Sequence, residues 1–332
     1  KKNYNVILIT NSNTKLLKNS NRVQILGSRI FLFERINFLN NIFCAFKIIF
    51  LKRKNQIIFS MDNHLLPLIL KLFRIDFKLI IRTPNPIFNI YNKDELRFLN
   101  NKGFTNKYET YLYRFANLVI TYSKQNVLSL RQKFKVRNVC LIYNFFEKKL
   151  ERKKNTKTIY NIFFIGRFVD SKDPIFFLKN MIELLNKINI KIYLLGEGIL
   201  KKDLQNLSKN YKSHIKFLKY TTKPYKKYSK IIDLICITSK FDGTPNVLGE
   251  AIARSIPCIA PRNVGLANLL LNNGKYGYLY KQGNNDNFKQ KIIYCLKNYK
   301  KSIDKSKLAL KGLERFDKKN TLKKLNTILS KI

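Results

Sequence analysis

Short apolar runs alternate with longer amphipathic runs along nearly the whole chain, and this alternation limits the fold more than any other feature. The short runs have the length of buried strands, and the longer ones have a helical spacing of apolar residues. Parallel strands need a crossover connection, usually a helix, so the alternation predicts a parallel sheet covered by helices on both faces. The predicted strands of the first series are NVILIT (5–10), QIIFS (56–60), FKLIIRT (77–83), LVITYS (118–123) and NVCLIYN (138–144), with helices expected over 35–50, 65–73, 104–116 and 124–134.

A second alternating series follows FFEKKLERKKNTK (145–157), a charged stretch without apolar periodicity. Its predicted strands are YNIFFIG (160–166), IKIYLLG (190–196), IKFL (215–218), LICITS (234–239) and PCIAP (257–261), with helices over 174–188, 199–210, 224–230 and 245–255 and helical stretches to the end. We therefore expect an α/β protein with two doubly wound, Rossmann-like domains facing a central cleft. The expected domains are 1–146 and 158–332, joined by a linker over 147–157.

The chain is strongly basic, with 65 Lys and Arg against 20 Asp and Glu and a formal net charge of +45. A charge of this size suits a nucleic acid or an anionic membrane surface as partner. The basic residues occur throughout both halves together with many Lys, Asn and Ile residues, so a compositional bias of the genome is a further explanation. No nucleic-acid-binding motif is present, and we expect no nucleic-acid partner. A basic nucleic-acid-binding protein is the alternative from a different class.

Five cysteines and two histidines lack the spacing of a metal centre, and no D-x-D pair is present. We therefore expect no metal and no cofactor, and reduced thiols in the cytoplasm. No apolar run reaches the length of a membrane span, about 18 residues. Lys47, Lys52, Arg53 and Lys54 follow the apolar IFCAF, however, and predict peripheral binding to the inner face of the membrane.

Glycines and basic residues follow two predicted strands of the second series. Gly166, Arg167 and Lys172 come after the first, and Gly196 and Glu197 come after the next. Ligands of open α/β sheets bind outside the carboxyl ends of the strands. The fork of an arginine together with the compact charge of a lysine suits a diphosphate.

The stretch KFDGTPNVLGEA (240–251) follows another strand and holds two carboxylates, Asp242 and Glu250. Gly243 permits a backbone conformation closed to other residues, and Thr244 and Pro245 predict a helix that starts near Thr244 as N-cap. Val247, Leu248, Ala251 and Ile252 would lie on one apolar face, with Glu250 off that face. Free amides at the helix start form an anion site suited to phosphate, although a capped surface helix explains the same residues.

Taken together, these segments resemble the C-terminal domain of family 4 glycosyltransferases, retaining enzymes of the GT-B fold that use nucleotide-activated sugars. IGRFVDSKD resembles the family's G-R-x-x-x-x-K segment, LLGEG resembles its G-[DE]-G turn, and YSKIIDLICITSKFDGTPNVLGEA resembles its most specific signature, two acids with seven residues between them. The similarity extends from Asn161 to the chain end. It is looser in the N-terminal half, where Ser123 and Asn144 match frequent family residues.

The resemblance implies a donor that is a nucleotide diphosphate sugar, here a UDP-hexose or UDP-N-acetylhexosamine, and a saccharide or polyprenyl-linked acceptor in surface polysaccharide synthesis. It implies that the acceptor hydroxyl attacks the face that the nucleotide leaves, without an enzyme nucleophile. The residues implied for catalysis are Arg167, Lys172 and Asp242. The residues implied for donor binding are Gly166, Gly196, Glu197, Gly243, Thr244, Pro245, Asn246, Val247, Leu248 and Glu250.

The sequence departs from the family pattern at three places. The first acid of the signature is usually Glu and is Asp242 here. The family's opening strand and glycine-rich loop are not found before NYNVILIT, so we expect the first domain to lack its first strand and helix. A family histidine is absent from IIRTPNP (80–86), and His64 and Arg82 are the acceptor-side candidates, with a capping or core role as the alternative for His64. An inactive family member is a further alternative.

Overall fold

The computed structural model describes residues 6–10, 23–27, 57–60, 64–83, 110–149, 159–221 and 223–330. The strands in these ranges are β1 (Val6–Thr10), β2 (Val23–Gly27), β3 (Ile57–Ser60), β4 (Lys78–Thr83), β5 (Leu118–Thr121), β6 (Val139–Leu141), β7 (Tyr160–Ile165), β8 (Ile190–Leu195), β9 (Ile215–Leu218), β10 (Leu234–Cys236), β11 (Cys258–Pro261) and β12 (Tyr278–Tyr280). The α-helices are α1 (Leu65–Leu72), α2 (Lys124–Gln132), α3 (Pro174–Leu184), α4 (Lys201–Leu207), α5 (Pro224–Tyr228), α6 (Asn246–Ile252), α7 (Ala267–Leu270), α8 (Asn285–Lys297), α9 (Tyr299–Gly312) and α10 (Lys318–Leu329).

The second half of the chain forms a six-stranded parallel sheet in the order β9-β8-β7-β10-β11-β12. Chain order therefore runs outward from β7 on one side and outward from β10 on the other. This is the doubly wound order in which the strand sequence reverses between the two central strands. The reversal leaves a crevice at the carboxyl ends of β7 and β10.

Strand β7 shows why the strands of this sheet are continuous apolar runs. Ile162 and Phe164 belong to a core cluster on one face of the sheet, and Phe163 and Ile165 belong to a cluster on the other. Successive side chains of a strand point to opposite faces, so a sheet covered by helices on both sides needs apolar residues at every position. The alternating pattern of the sequence thus correctly predicted a parallel sheet between two helical layers.

The first half contains a four-stranded parallel sheet in the order β3-β4-β5-β6 and a parallel pair, β1 and β2. In β4, Leu79 and Ile81 pack into one core cluster and Ile80 into another, which again shows a sheet covered on both faces. The five predicted strands of this half fall on β1, β3, β4, β5 and β6. The helix predicted over 35–50 lies outside the described residues.

Two strands were not predicted. No element was predicted over the residues of β2, and β12 falls where helix was predicted. Strand β12 has three residues, and its backbone pairs with β11 at the edge of the sheet. Such a short strand has no periodic signal of its own, because pairing with a neighbour decides its conformation.

The last described helix, α10, returns to the first sheet. Its Leu325 and Ile328 pack against a core cluster of Ile80, Leu118, Ile120 and Ile142. Asp317 caps the helix by accepting hydrogen bonds from the amides of Lys319 and Asn320. The chain therefore crosses between the two domains a second time, and α10 forms one wall of the space between them.

Among the helices that the structure describes, none has the length and apolar character that a membrane-spanning segment requires.

Gly249 in α6 packs directly against Phe146, in the segment that joins the two domains. A Cβ atom at position 249 would lie 2.2 Å from the Cζ of the Phe146 ring, and Phe146 is buried. We expect Gly249→Val to lower the free energy of unfolding by about 1–3 kcal/mol, the usual cost of overpacking. Urea unfolding measures this loss. The double variant Gly249→Val/Phe146→Leu should lose less free energy of unfolding than the two single variants lose together. If the two losses simply add, the side chains at positions 249 and 146 are not in contact.

Candidate active site

Two loops meet at the reversal point of the second sheet. One follows β7 and contains Gly166–Asp173, and the other follows β10 and leads to α6. Main-chain hydrogen bonds join them, because the amides of Lys240 and Phe241 donate to the carbonyl of Ser171 at 3.0 and 3.3 Å. The hydroxyl of Thr238 donates to the carbonyls of Lys172 and Asp173, both at 3.0 Å. The loop that carries Lys172 is thus held at a fixed position beside the loop that carries Asp242.

Lys172 and Asp242, both assigned from the sequence, form an ion pair. The lysine side chain is 23% exposed and the aspartate side chain is 15% exposed, so the pair lies at a partly desolvated surface. Asp242 is one methylene shorter than the usual glutamate and still reaches the lysine. The structure therefore brings together two of the three residues that the resemblance implies for catalysis.

A second set of charges in the same loops was missed from the sequence. Lys240 lies 2.6 Å from the Oδ1 of Asp170 and 3.6 Å from the Oδ2 of Asp173. Asp173 has a left-handed backbone and caps α3 by accepting a hydrogen bond from the amide of Phe176. Burial raises the pKa of Asp173, and Lys240 opposes this shift. The signal available in the sequence was position alone, since all three residues follow strands at the carboxyl edge.

Arg167 is exposed, and among the described residues it forms no ion pair. Its neighbour Gly166 is in close contact with the turn after β8: a Cβ atom at Gly196 would lie 1.8 Å from the Gly166 carbonyl oxygen. The amide of Phe168 donates to the carbonyl of Glu197 at 2.8 Å. Gly196 is buried by this contact, while Glu197 is exposed and pairs with Lys201 at 2.8 Å. The glycines therefore allow the two loops to approach each other.

The start of α6 differs from the sequence prediction. The helix begins at Asn246, its N-cap is Pro245, and no side chain caps it, so the prediction of Thr244 as N-cap was wrong. Gly243 is not among the described glycines with positive φ. Gly265, in the loop after β11, has φ of 52° and packs against this turn, because a Cβ atom at Gly265 would lie 2.3 Å from the Gly243 carbonyl oxygen. The close approach of this distant loop fixes the turn.

The amides at the start of α6 are only partly available. The amides of Leu248 and Gly249 donate to the carbonyl of Pro245 at 2.9 and 3.2 Å, and the side chain of Leu248 is fully buried. Among the described residues, the amides of Asn246 and Val247 have no backbone acceptor. Any hydrogen bonds from this turn to a ligand would therefore come from Asn246 and Val247 and not from Leu248.

Glu250 lies one turn further along α6, off its buried face, as the sequence predicted. Its side chain is half-buried at the wall of a cavity of about 810 Å³ that both domains line. Burial raises the pKa of Glu250, and Arg254 opposes this shift. The cavity also contacts Lys223, Pro224 and Tyr225 at the start of α5. Glu250 thus lines a cavity whose volume is large enough for a nucleoside.

The raised pKa of Glu250 leads to a testable dependence of stability on pH. The folded protein holds this proton more tightly than the unfolded chain, so stability falls as the pH rises from the ordinary glutamate pKa, about 4.3, through the raised value. Glu250→Gln removes this loss. We expect the free energy of unfolding of the variant to exceed that of the parent above this window and to approach it below. Urea unfolding at one pH below this window and at one pH above it measures the difference. Glu314→Gln, at an exposed glutamate, is the control. A constant difference across the window would contradict the assignment.

Arg82 also lines the cavity, from strand β4 of the first domain, together with Phe59 and Ile120. His64 does not line this cavity in the described part of the chain. It is 5% exposed, its Nδ1 lies 2.8 Å from the hydroxyl of Ser60, and its ring packs edge-on against Tyr113 at 5.6 Å. The core role considered for His64 is therefore the one that the contacts favour. Arg167, Lys172 and Asp242 lie outside the described lining, at the neighbouring reversal point.

Two parallel-sheet domains with a cavity between them and a polar reversal point in the second are the architecture of GT-B glycosyltransferases. Residues 145–310, half of the chain, match the family model described as glycosyl transferases group 1. The chain belongs to this family.

Two relatives agree with this assignment, and a solved structure agrees with the fold. The chain is 26% identical over 287 residues to the N-acetylgalactosamine-N,N'-diacetylbacillosaminyl-diphospho-undecaprenol 4-alpha-N-acetylgalactosaminyltransferase of Campylobacter jejuni, covering 80% of this chain and 74% of that protein. It is 27% identical over 227 residues to an uncharacterized glycosyltransferase of Methanocaldococcus jannaschii, covering 60% of this chain and 54% of that protein. A crystal structure of S. aureus TarM with fondaparinux, alpha-GlcNAc-glycerol and UDP has a TM-score of 0.73 at 18% identity, covering 87% of this chain and 58% of TarM. The chain thus spans little more than half the length of the last two proteins.

Proposed function

We propose that the chain is a retaining glycosyltransferase of family 4 that moves a hexose or N-acetylhexosamine from a UDP-sugar to a saccharide or lipid-linked acceptor in surface polysaccharide synthesis. The observation that carries the proposal is the placement of Glu250. It is a half-buried carboxylate in a cavity shared by two domains, on a helix whose start adjoins the Lys172–Asp242 pair. An acceptor group suited to ribose hydroxyls thus lies on the helix that follows Asp242, and Asp242 is paired with a cation suited to a diphosphate.

The resemblance to family 4 glycosyltransferases supports a role for each of these groups. Glu250 accepts hydrogen bonds from the ribose, and the amides of Asn246 and Val247 hold phosphate. Arg167 and Lys172 neutralise the charge that builds on the leaving diphosphate, and Asp242 contacts sugar hydroxyls. Preorganised cations beside a leaving group are worth several kcal/mol in other enzymes. The acceptor approaches from the first domain, where Arg82 lines the cavity.

The similar proteins support the donor and acceptor classes. TarM was crystallised with UDP and alpha-GlcNAc-glycerol, and the C. jejuni relative is named for an alpha-linked transfer to a diphospho-undecaprenol acceptor. An enzyme that forms an alpha linkage from an alpha-linked donor keeps the configuration of the anomeric carbon.

Donor hydrolysis and sugar transfer test the function. The protein is incubated with UDP-glucose, UDP-galactose and their N-acetylated counterparts, with and without saccharide acceptors, and the anomer formed is determined by NMR. We expect release of UDP, retained configuration and no loss of activity with excess chelator, because Arg167 and Lys172 take the place of a metal. An inverted product would contradict the retaining mechanism, and activity restored only by magnesium or manganese would contradict metal independence.

We also propose that the protein acts at the cytoplasmic face of an anionic membrane. The net charge of +45 supports this, while Lys47, Lys52, Arg53 and Lys54 lie outside the described residues. Each basic residue near an anionic surface contributes about 1 kcal/mol, screened by salt. In vesicle sedimentation we expect stronger binding to phosphatidylglycerol-containing vesicles than to neutral phosphatidylcholine vesicles, decreasing as salt is added. Equal binding to both at low salt would contradict it.

A further inference from the structure

Three polar side chains form a hydrogen-bonded chain from the first domain to the start of α6. The Nη2 of Arg82, on β4, donates to the Oδ1 of Asn144, which follows β6 in the segment between the domains. The Nδ2 of Asn144 donates to the Oδ1 of Asn246 at 2.8 Å. Asn246 is the first residue of α6, and all three residues line the cavity with Glu250. A residue of the first sheet is thus connected to the helix that carries Glu250.

The hydrogen bonds of this chain all run in one direction. Arg82 is half-buried, and although burial lowers its pKa, a guanidinium stays charged in proteins. The guanidinium of Arg82 therefore polarises the amide of Asn144, which strengthens the hydrogen bond from Asn144 to Asn246. Because the Oδ1 of Asn246 is held by Asn144, its Nδ2 group lies on the opposite side of the amide. Within the described residues, that Nδ2 group has no hydrogen-bond acceptor.

Asn246 lies one helical turn from Glu250, about 6 Å along the axis, toward the start of the helix. If Glu250 binds the ribose, the next group of the donor in this direction is the diphosphate. We propose that Arg82 and Asn144 are positioning residues that orient the Nδ2 group of Asn246 toward the donor diphosphate, so that a cation of the first domain acts on the donor through the second. This inference rests on the proposed function.

A purely structural role of these hydrogen bonds, in which they only hold the two domains together, would have different consequences. Their loss would then lower the stability of the protein and would weaken binding of a nucleoside as much as binding of its diphosphate. A positioning role acts on the diphosphate alone. UDP and uridine are therefore the two probes, titrated calorimetrically into the full chain.

We expect Arg82→Met and Asn144→Ala each to weaken UDP binding about 3- to 10-fold, the effect of one ordinary hydrogen bond, and to leave uridine binding within about twofold. Because Arg82 acts through Asn144, the double variant should bind UDP no more weakly than Asn144→Ala alone. Arg131→Met is the matched control. Arg131 is an exposed arginine of α2 that donates to the Val139 carbonyl and lies outside the cavity lining.

Asn144→Asp provides a second, nearly isosteric variant. Its carboxylate still accepts from Arg82 but has no donor for the Oδ1 of Asn246, so the Asn246 amide should turn and present its oxygen to the diphosphate. We expect weaker UDP binding than in Arg82→Met, with uridine binding retained. Additive effects of Arg82→Met and Asn144→Ala, or equal weakening of UDP and uridine, would overturn the positioning role. A parent protein that binds uridine and UDP but shows no variant effect would overturn this inference alone, whereas failure of the parent to bind either would overturn the proposed donor and the inference together.

Discussion

Replacement of Lys172 by methionine is expected to lower the rate of sugar transfer by about 10²- to 10³-fold, the usual effect of removing one group that stabilises developing charge. Lys172 is held between Asp242 and the loop hydrogen bonds from Thr238, so its ammonium is already in place before a donor binds. The lysine therefore needs little reorganisation during the reaction. Initial rates of UDP release at saturating donor measure the effect, which should fall on kcat more than on KM.

Lys289→Met is the matched control for this variant. Lys289 forms an ion pair with Glu183 and with Asp286, and its side chain is 18% exposed, so it is as enclosed as Lys172. It lies on α8, whose buried face belongs to the core cluster away from α6. Thermal unfolding of both variants separates loss of structure from loss of chemistry. If both variants retain the parent rate of sugar transfer, Lys172 has no part in neutralising the diphosphate.

Glu250→Ala is expected to weaken UDP binding by about ten- to a hundredfold, because hydrogen bonds to a charged acceptor contribute about 1.5–3 kcal/mol. Uridine binding should weaken by a similar factor, since the ribose is common to both ligands. The melting temperature should not fall, because the carboxylate lies off the buried face of α6 and removing it uncovers no core residue. Calorimetric titration with uridine and UDP measures both affinities.

Arg167→Ala provides the contrast for Glu250. The exposed guanidinium of Arg167 lies at the reversal point and outside the described cavity lining. Its loss should therefore weaken UDP binding while uridine binding stays at the parent value. If Glu250→Ala binds UDP as tightly as the parent, the ribose assignment is wrong. If Arg167→Ala weakens both ligands equally, Arg167 does not act on the diphosphate.

Much of the architecture could be predicted from the sequence because it depends on residues close together in the chain. A strand such as β7 is buried on both faces and must be apolar at each position, so it is visible as a run. Glycines and charged residues directly after such strands reach the carboxyl edge of the sheet whatever the rest of the fold does. The pairing of Lys172 with Asp242 follows from this, because β7 and β10 are neighbours at the reversal point.

The features that the sequence did not determine depend on contacts between distant segments. The start of α6 was predicted at Thr244 from capping preferences, but the approach of Gly265 to the carbonyls of Asp242 and Gly243 moves it to Asn246. Capping preferences are worth about 1 kcal/mol, and a tertiary contact of this kind outweighs them. Strand β12 likewise exists because β11 offers it an edge.

The cavity is also decided by tertiary structure alone. Its lining comes from β4, from α5, α6 and α10, and from the segment that follows β6. Strand β4 and helix α10 are more than two hundred residues apart in the chain. No local pattern shows that Arg82 contacts Asn144 or that Asn144 contacts Asn246. The residues that could carry charge to the edge of the second sheet were therefore visible in the sequence, because side-chain alternation and strand length are local properties. Contacts between distant segments decide which of these residues meet at a partly desolvated surface, as Lys172 and Asp242 do, because desolvation depends on every segment that packs around a group.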